Sequence, residues 1–269
     1  MAKLFSVASW NVEHFDDDAS RIGRVVKFLN DQNPDVFALY EVEGKAVFAE
    51  LTQQMPKYHF HITEGQQTQE ILVGARGTLS AFFTQKLEFK EGNTFLRPGA
   101  LLTVTVNGDS YPLLFLHTKS GNAPVGLGIR DDMLRRALDF RKTLNKASPN
   151  GKANYIVLGD LNTMGMKYPF QKDIEAEVEL KKLDADAKKR QMRRLGKTKP
   201  ATWWNGPGSS IPPSNLDQIV AADHLKFKAF AGGAEADVRG WASLGTDAEK
   251  ASWIKSYSDH SLLLFQVEK

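Results

Sequence analysis

The stretch from Tyr155 to Asn162, YIVLGDLN, constrains the fold more than any other part of this chain. Its apolar start is typical of a buried strand, and Gly159 permits a tight exit from that strand. Because side chains two residues apart in an extended chain point the same way, Asp160 and Asn162 can reach one small site while Leu161 faces the core. A strand followed by a simple Asx turn also has this pattern.

Several other apolar strands end in the same way, with an acidic, amide or His residue. These strand ends are Trp10-Asn11, Tyr40-Glu41, Leu116-His117, Leu216-Asp217 and Ser258-Asp259-His260. The repetition favours a shared functional site over an isolated turn.

The composition is that of an ordinary globular protein, with 42% hydrophobic residues in 269, enough for a sizeable core. We find no apolar run of membrane-spanning length and no signal-peptide pattern at the start, so we expect a cytoplasmic protein. A mature chain whose signal peptide had been removed would look the same. The absence of Cys excludes disulfides, thiolate zinc sites and cysteine nucleophiles. Any metal must be held by oxygen or imidazole, which suits Mg²⁺, Mn²⁺ or Ca²⁺ if carboxylates dominate.

The positive charge is local. Residues 181–199 contain nine Lys or Arg and two Asp, a net charge of +7, while the whole chain has only +3. Such a segment suits the binding of a polyanion, but it is also typical of a solvated helix face.

Helical spacing is found at residues 22–29, 47–51 and 133–144, and strand patterns fill most of residues 58–117 as well as both ends of the chain. Residues 121–128 read as a Gly-rich loop, 170–195 as a polar helical insertion, and 196–215 as a loop carrying Trp203 and Trp204. No internal repeat or linker divides the chain. We therefore predict a single domain over 1–269, two sheets packed face to face with helices outside, and a basic insertion at about 170–215.

The motifs SWNV, LHTKSG, GDLN, NLDQI and SDHS, together with the strand-terminal Glu41, occur in this order along nearly the whole chain. In this the chain resembles the endonuclease/exonuclease/phosphatase superfamily, and in particular its pancreatic deoxyribonuclease type. The resemblance implies an α+β fold, a four-layer αββα sandwich of two mainly antiparallel sheets. It also implies hydrolysis of phosphate esters with a divalent metal, Mg²⁺ first, with Mn²⁺ or Ca²⁺ as substitutes.

The resemblance also implies residue roles. The metal site would comprise Asn11, Glu41 and Asp259. The catalytic residues would be Glu70, His117, Asp160, Asn162, Asp217 and His260. Among these we expect two acid–His pairs, Asp217 with His260 and Glu70 with His117, in which the carboxylate fixes the tautomer and raises the imidazole pKa.

For substrate binding we expect Asn162, Arg97 and Lys119 at the phosphate, with Arg76 as an alternative to Arg97. The flanking backbone would be bound by the basic residues Lys188, Lys189, Arg193 and Arg194. Trp203 lies in the loop where this superfamily varies its substrate-facing surface, although Trp pairs more often serve packing.

These residues lead us to expect a monomeric, Mg²⁺-dependent phosphodiesterase, a nuclease acting on DNA. One alternative is an enzyme of the same superfamily acting on a phospholipid or a small phosphate ester. Sphingomyelinase-like members share the HxxS and SDH motifs, so these motifs do not separate the two. A second alternative is a non-catalytic nucleic-acid-binding module. The basic insertion is the main sequence feature that favours nucleic acid.

Overall fold

A computed structural model of the chain describes residues 2–65, 69–90 and 96–269. The strands form two sheets. The first, sheet A, has the order β11 (Lys226–Phe227), β13 (Leu262–Glu268), β1 (Lys3–Phe15), β2 (Val36–Val42), β4 (Glu70–Arg76), β3 (Tyr58–Ile62), with β12 (Ala236–Arg239) also paired to β13. The second, sheet B, has the order β5 (Ser80–Lys86), β6 (Gly99–Val106), β7 (Asp109–His117), β8 (Ile156–Asp160), β10 (Asp217–Ala222), β9 (Met192–Arg194).

The helices lie outside the sheets. They are α1 (Ala19–Asp31), α2 (Lys45–Gln54), α3 (Pro124–Ala147), α4 (Ala176–Lys189) and α5 (Asp247–Ser256). One apolar core fills the space between the two sheets, a second lies between sheet A and α1 with α2, and a third lies between sheet B and α3 with α4. The predicted four-layer αββα sandwich is therefore confirmed.

Strand alternation creates these cores. In β2, Ala38 and Tyr40 face the other sheet, while Phe37 and Leu39 face the helices. Such strands are buried on both faces and therefore appear as continuous apolar runs in the sequence. The β1–β2 and β7–β8 pairs are parallel and the other ladders are antiparallel, so both sheets are mixed but mainly antiparallel.

Some predicted elements differ from the structure. Helix α3 begins at Pro124, so the second half of the predicted 121–128 loop is helical; proline is well tolerated in a first helical turn. Within the basic segment the helix ends at Lys189, and an edge strand, β9, follows it. Helix α5 was not predicted, because its apolar residues do not repeat along one face. Across the described ranges, we find no helix whose length and apolar character would let it span a bilayer.

Candidate active site

The site lies at one end of the space between the sheets, where three neighbouring strands of sheet B stop being apolar. Leu113 and Phe115 of β7 and Leu158 of β8 face the inter-sheet core. Two residues farther along these strands, the side chains that face the other sheet are polar. His117, Asp160 and Asp217 lie directly opposite one another across β7, β8 and β10.

Gly159 allows this row to form. Its φ of +140° is a conformation that L side chains rarely adopt, and a Cβ at this position would collide with the backbone oxygen of Leu116. The tight geometry expected for this glycine is therefore what brings β7 and β8 together just before His117 and Asp160.

Sheet A contributes Asn11, which lies within β1 four residues before its end, and Glu41, the second-last residue of β2. The Asn11 amide Nδ2 donates to Glu41 Oε1 and to Asp160 Oδ2, both at 3.0 Å, and so joins a carboxylate from each sheet. Its Oδ1 accepts from the backbone N–H of Glu13 at 3.0 Å. In this arrangement Asn11 positions the two carboxylates, and its oxygen is not turned toward them as the predicted metal ligand would be.

Glu41 is held in its ionised form. Burial by itself favours the neutral acid. The charge that His117 carries at low pH and the hydrogen bonds from Asn11 and from the backbone N–H of His14 outweigh this effect and lower the pKa of Glu41 to about 2. Asp160 shows the opposite shift. Burial, with the nearby charges of Asp217 and Glu41, raises the pKa of Asp160 to about 7. Two neighbouring carboxylates with pKa values pushed apart are typical of a site where one group carries charge and the other exchanges a proton.

The backbone of this region is strained. Glu13, His14, Glu41 and Asn162 have φ values of 40°, 45°, 62° and 49°, in the left-handed region that non-glycine residues seldom adopt. Such conformations persist only where the surroundings enforce them, and they cluster at functional sites.

Asp217 and His260 form the predicted acid–His pair. The distance from His260 Nδ1 to Asp217 Oδ2 is 2.8 Å, and both residues are buried. His260 Nε2 points away from Asp217 and lies 3.8 Å from Asp160 Oδ2. Burial opposes protonation of this imidazole, yet the charges of Asp217 and Asp160 raise the pKa of His260 to about 10. His260 is therefore an imidazolium at neutral pH.

Asp259 precedes His260 and is positioned by Trp203, whose Nε1 donates to Asp259 Oδ2 at 2.6 Å. The second oxygen, Oδ1, is buried and has no hydrogen-bond partner among the described residues; it lies 3.9 Å from His260 Nε2. Burial raises the pKa of Asp259. The structure thus gives Trp203 a contact with an acidic residue of the site, in addition to its predicted location in the substrate-facing loop.

His117 lies inside the site, but the predicted Glu70–His117 pair is not formed. His117 Nε2 is 3.4 Å from Asp160 Oδ2 and 3.6 Å from Glu41 Oε1, while its Nδ1 has no hydrogen-bond partner in the described ranges. Glu70 Oε2 instead accepts from the hydroxyl of Thr63 at 2.5 Å. Burial and the charge of Arg97 lower the pKa of His117 to about 3, so this imidazole is neutral.

Asn162 and Lys119 lie on the two loops that follow β8 and β7. Asn162 Nδ2 donates to the backbone oxygen of Thr118 at 3.1 Å, and the Asn162 backbone N–H donates to Asp160 Oδ1 at 3.0 Å. Lys119 follows Thr118, and its Nζ donates to the backbone oxygen of Ser120 at 3.0 Å. Both residues therefore stand beside the row of strand ends.

Of the two candidate arginines, the structure favours Arg97. Its Nε donates to the backbone oxygen of Gln69 at 2.9 Å. Burial lowers the pKa of Arg97, while the neighbouring carboxylates of Glu41 and Asp160 counteract this effect. The alternative, Arg76, is wrong for this role. It lies at the far end of β4 from Glu70 and is bound to Asp35 at 3.2 Å.

The four basic residues expected to bind the flanking backbone, Lys188, Lys189, Arg193 and Arg194, do not share one helix face, because α4 ends at Lys189. Arg194 pairs with Asp184 through two contacts of 2.8 Å, Arg193 pairs with Glu235, and Lys189 pairs with Asp186 at 2.8 Å. Lys188 is exposed on α4. In β9, Met192 is opposite Ala222, at the end of β10 remote from Asp217. Most of this charge is therefore neutralised locally, away from the strand ends of the site.

Three supporting residues were missed from the sequence. Thr202 accepts from the backbone N–H of Asp217 at 3.0 Å, and the Tyr40 ring packs edge-on against His117 with centroids 6.2 Å apart. Lys197, counted only as part of the basic segment, donates from Nζ to the backbone oxygen of Asp217 at 2.5 Å. Burial lowers the pKa of Lys197 to about 7. Neither strand alternation nor charge counting could identify these contacts, since each joins distant parts of the chain.

The side chains present fit a divalent metal ion. Glu41, His117 and Asp160 each offer a ligand atom within 4.8 Å of the others, and Asp160, Asp217 and His260 form a second such group. In the second group, Asp217 and the charged His260 already bind each other, so the first group is the better candidate. Two carboxylates suit a hard ion such as Mg²⁺ or Mn²⁺, and the neutral His117 adds a possible nitrogen ligand.

Comparison with solved structures agrees with this architecture. Caenorhabditis elegans TDP2 superposes with a TM-score of 0.70 at 16% identity, covering 98% of both chains. Danio rerio TDP2, solved with a single-strand DNA product, gives 0.65 at 17% identity over 98% of this chain and 99% of that one. A mannosyl-6-phosphatase of Bacteroides thetaiotaomicron gives 0.63 at 14% identity over 98% and 100%. At these identities the likeness shows the fold alone.

A search among curated proteins finds no sequence that matches the chain. The sequence model of the Endonuclease/Exonuclease/phosphatase family, however, matches residues 8–260, which include every strand end of the site. The chain therefore belongs to the endonuclease/exonuclease/phosphatase family.

Proposed function

We propose that the protein is a divalent-metal-dependent phosphodiesterase that hydrolyses DNA. The observation that carries this proposal is the placement of two kinds of group around Asp160. On one side lies the ionised Glu41, linked to Asp160 through Asn11. On the other lies the charged His260, held by Asp217. Phosphodiester hydrolysis needs both a cation-binding site and a fixed positive donor near the phosphoryl group.

Glu41 and Asp160 would hold the ion, with His117 as a further donor. When bound, the ion would neutralise charge on the phosphoryl oxygens and acidify a water molecule. Asp160 would also accept the proton of the attacking water. The His260 imidazolium would donate to a phosphoryl oxygen from the opposite side. Asn162, and Arg97 on the side of Glu41, can add further donors.

Two observations support DNA as the substrate. A cleft of about 560 Å³ is lined by residues that include Glu13 and His14 of β1 together with Asn205 and Pro207. It adjoins the site at Glu13, which accepts from the backbone N–H of Asp259 at 3.2 Å, and it has room for more than a phosphate group. Among the structural relatives, the Danio rerio TDP2 structure contains a single-strand DNA product. The basic segment, in contrast, no longer supports this assignment, because its arginines are paired with acidic side chains.

A second candidate is a phosphatase acting on a small phosphate ester. The likeness to the Bacteroides thetaiotaomicron mannosyl-6-phosphatase extends over that whole chain. The neutralised charge of Arg193 and Arg194 is also compatible with a substrate that has no flanking phosphates.

A substrate panel separates the candidates. Single-stranded DNA, duplex DNA, RNA, a chromogenic phosphodiester and a sugar phosphate monoester are each incubated with Mg²⁺, Mn²⁺, Ca²⁺ or EDTA. We expect metal-dependent cleavage of DNA and of the chromogenic diester, and a strong reduction of both in the variant Glu41→Gln at metal concentrations that do not saturate it. Turnover confined to the monoester would replace the proposal by the second candidate. Cleavage that persists in EDTA would contradict the metal-dependent reaction altogether.

A further inference from the structure

An aromatic loop follows the end of β8 and begins four residues after Asn162. It comprises residues 166–174 and is called here the 166–174 loop; Met166 and Ile174 close it through two backbone hydrogen bonds of 2.7 and 2.9 Å. Phe170 near its tip is 85% exposed, the highest exposure among the large hydrophobic side chains of the described residues. The Tyr168 ring packs edge-on against Phe170, with centroids 6.1 Å apart.

We propose that this loop is a stacking platform for an unpaired base of a polynucleotide strand whose phosphodiester occupies the active site. This inference rests on the proposed function and extends it, since it names the form of nucleic acid that the site takes. Base stacking on an exposed aromatic ring is tolerant of sequence and is a general mode of single-strand binding.

Hydrogen bonds and an ion pair order the backbone of the 166–174 loop, so that an exposed ring on this loop can present a defined surface to a ligand. Lys167 Nζ pairs with Asp173 Oδ2 at 2.8 Å, and the backbone N–H of Tyr168 donates to Asp173 Oδ1 at 3.0 Å. Gly165, at the base, has a φ of +74° and no room for a Cβ beside the backbone of Ile174. A rigid aromatic loses little conformational freedom when a ligand binds.

A buried ion pair fixes the base of the loop to the catalytic loops. Arg130 donates to Glu179 at 2.8 and 3.0 Å, and it also donates to the backbone oxygens of Gly121 at 2.8 Å and Gly165 at 2.9 Å. Gly121 follows His117 by four residues, and Gly165 follows Asn162 by three. The 166–174 loop is further tied to the chain after His117, because the Lys167 N–H donates to the oxygen of Asn122 at 2.7 Å. The base of the 166–174 loop is thereby joined to the two segments that follow His117 and Asn162.

Charge complementarity favours a polynucleotide as the occupant. Lys172 lies within the 166–174 loop and Lys119 lies in the segment after His117, and within the described ranges neither forms an ion pair with a carboxylate. A strand with a base on Phe170 could therefore place phosphates near both amines. A membrane would need a broader apolar surface at the tip. Here the residues next to Phe170 are Pro169 and the polar Gln171.

The test measures binding of a short single-stranded DNA carrying 2-aminopurine, in EDTA so that metal-dependent cleavage is stopped. Three variants are compared with the wild type: Phe170→Ala, Phe170→Trp, and the control Phe82→Ala. Phe82 is 72% exposed and lies on the edge strand β5, away from the strand ends of the site. From the usual contribution of one stacked base, we expect Phe170→Ala to bind about 10-fold more weakly and to lose quenching of the 2-aminopurine fluorescence. We expect Phe170→Trp and Phe82→Ala to bind as the wild type does.

The outcomes separate this inference from the proposed function. If the wild type binds and cleaves DNA while Phe170→Ala binds and quenches equally well, the stacking platform is wrong and the proposed function stands. If the wild type neither binds nor cleaves polynucleotides, both fall. If Phe170→Ala instead loses partition onto vesicles of phosphatidylserine and phosphatidylcholine with DNA binding unchanged, the 166–174 loop is a lipid contact and the inference is overturned.

Discussion

Replacing Asp217 by Asn perturbs the site with minimal change in shape. Asp217 Oδ2 lies 2.8 Å from His260 Nδ1, so the substitution removes a charge-assisted hydrogen bond between buried groups. Such a bond contributes roughly 1.5–3 kcal/mol, which is about 10- to 100-fold if it acts fully in the transition state. An amide can also stabilise the wrong imidazole tautomer, as happens when the acid of a catalytic triad is replaced by Asn, so we expect a total loss of about 10²- to 10⁴-fold in kcat.

The assay is turnover of DNA and of a chromogenic diester under saturating metal, with Asp223→Asn as the matched control. Asp223 is exposed just beyond the other end of β10, so this variant makes the same chemical change without touching His260. Because Asp217 raises the pKa of His260, the substitution should also move the alkaline limb of the rate profile to lower pH. Turnover by Asp217→Asn within about 3-fold of the wild type would refute the assigned role of the pair, since general acid–base groups contribute far more.

The same pair makes stability depend on pH. The pKa of His260 is raised from 6.5 to about 10 on folding, so the stabilisation is complete below pH 6.5 and is lost as the pH rises through about 10. Denaturant unfolding should therefore show a larger destabilisation of Asp217→Asn at pH 6 than at pH 10. An equal difference at both pH values would mean that His260 is not charged in the folded protein.

Three further predictions follow from individual contacts. Glu179→Gln leaves the Arg130 charge buried without its partner, so we expect a loss of about 3–5 kcal/mol in the free energy of unfolding, measured with urea. Glu70→Gln should keep turnover within about 3-fold of the wild type, because Glu70 forms no hydrogen bond with an imidazole in the structure. Removal of a working acid–base group costs far more, so a 100-fold loss would restore the predicted Glu70–His117 pair. Trp203→Phe removes the hydrogen bond to Asp259 and should lower kcat, whereas a change in KM alone would indicate that the ring only contacts substrate.

The strand ends could be predicted because the physical rule that places them is local. Alternation within β8 directs Asp160 toward the other sheet, and the register of β7 and β10 brings His117 and Asp217 beside it. The family motifs supplied the remaining pairing, that of Asp217 with His260. Each of these inferences needs only a strand and its end, both of which are visible in the sequence.

The basic segment was misread because a count of charges does not reveal their partners. Arg194 is paired with Asp184, ten residues away, whereas the partner of Arg193 is Glu235, 42 residues away and directly before β12. Helix α5 was missed for a related reason: Trp253 packs on Trp10, but this contact leaves no helical period in the local sequence. Long-range contacts of this kind decide which charges remain available to a substrate.

We propose that Glu41 and Asp160 form a metal-dependent phosphoesterase centre with His260. This proposal is tested most directly by titrating metal-free protein with Mg²⁺ or Mn²⁺ while measuring turnover of a chromogenic diester, for the wild type and for Glu41→Gln. Glu41→Gln keeps the shape of the side chain but removes the charge that holds the ion. We predict no turnover without metal, saturation in the wild type, and a curve for Glu41→Gln displaced to higher metal concentration by about 10-fold or more, with partial recovery at the highest concentrations. Turnover in EDTA equal to that in metal, or superimposable curves for the two proteins, would contradict the account.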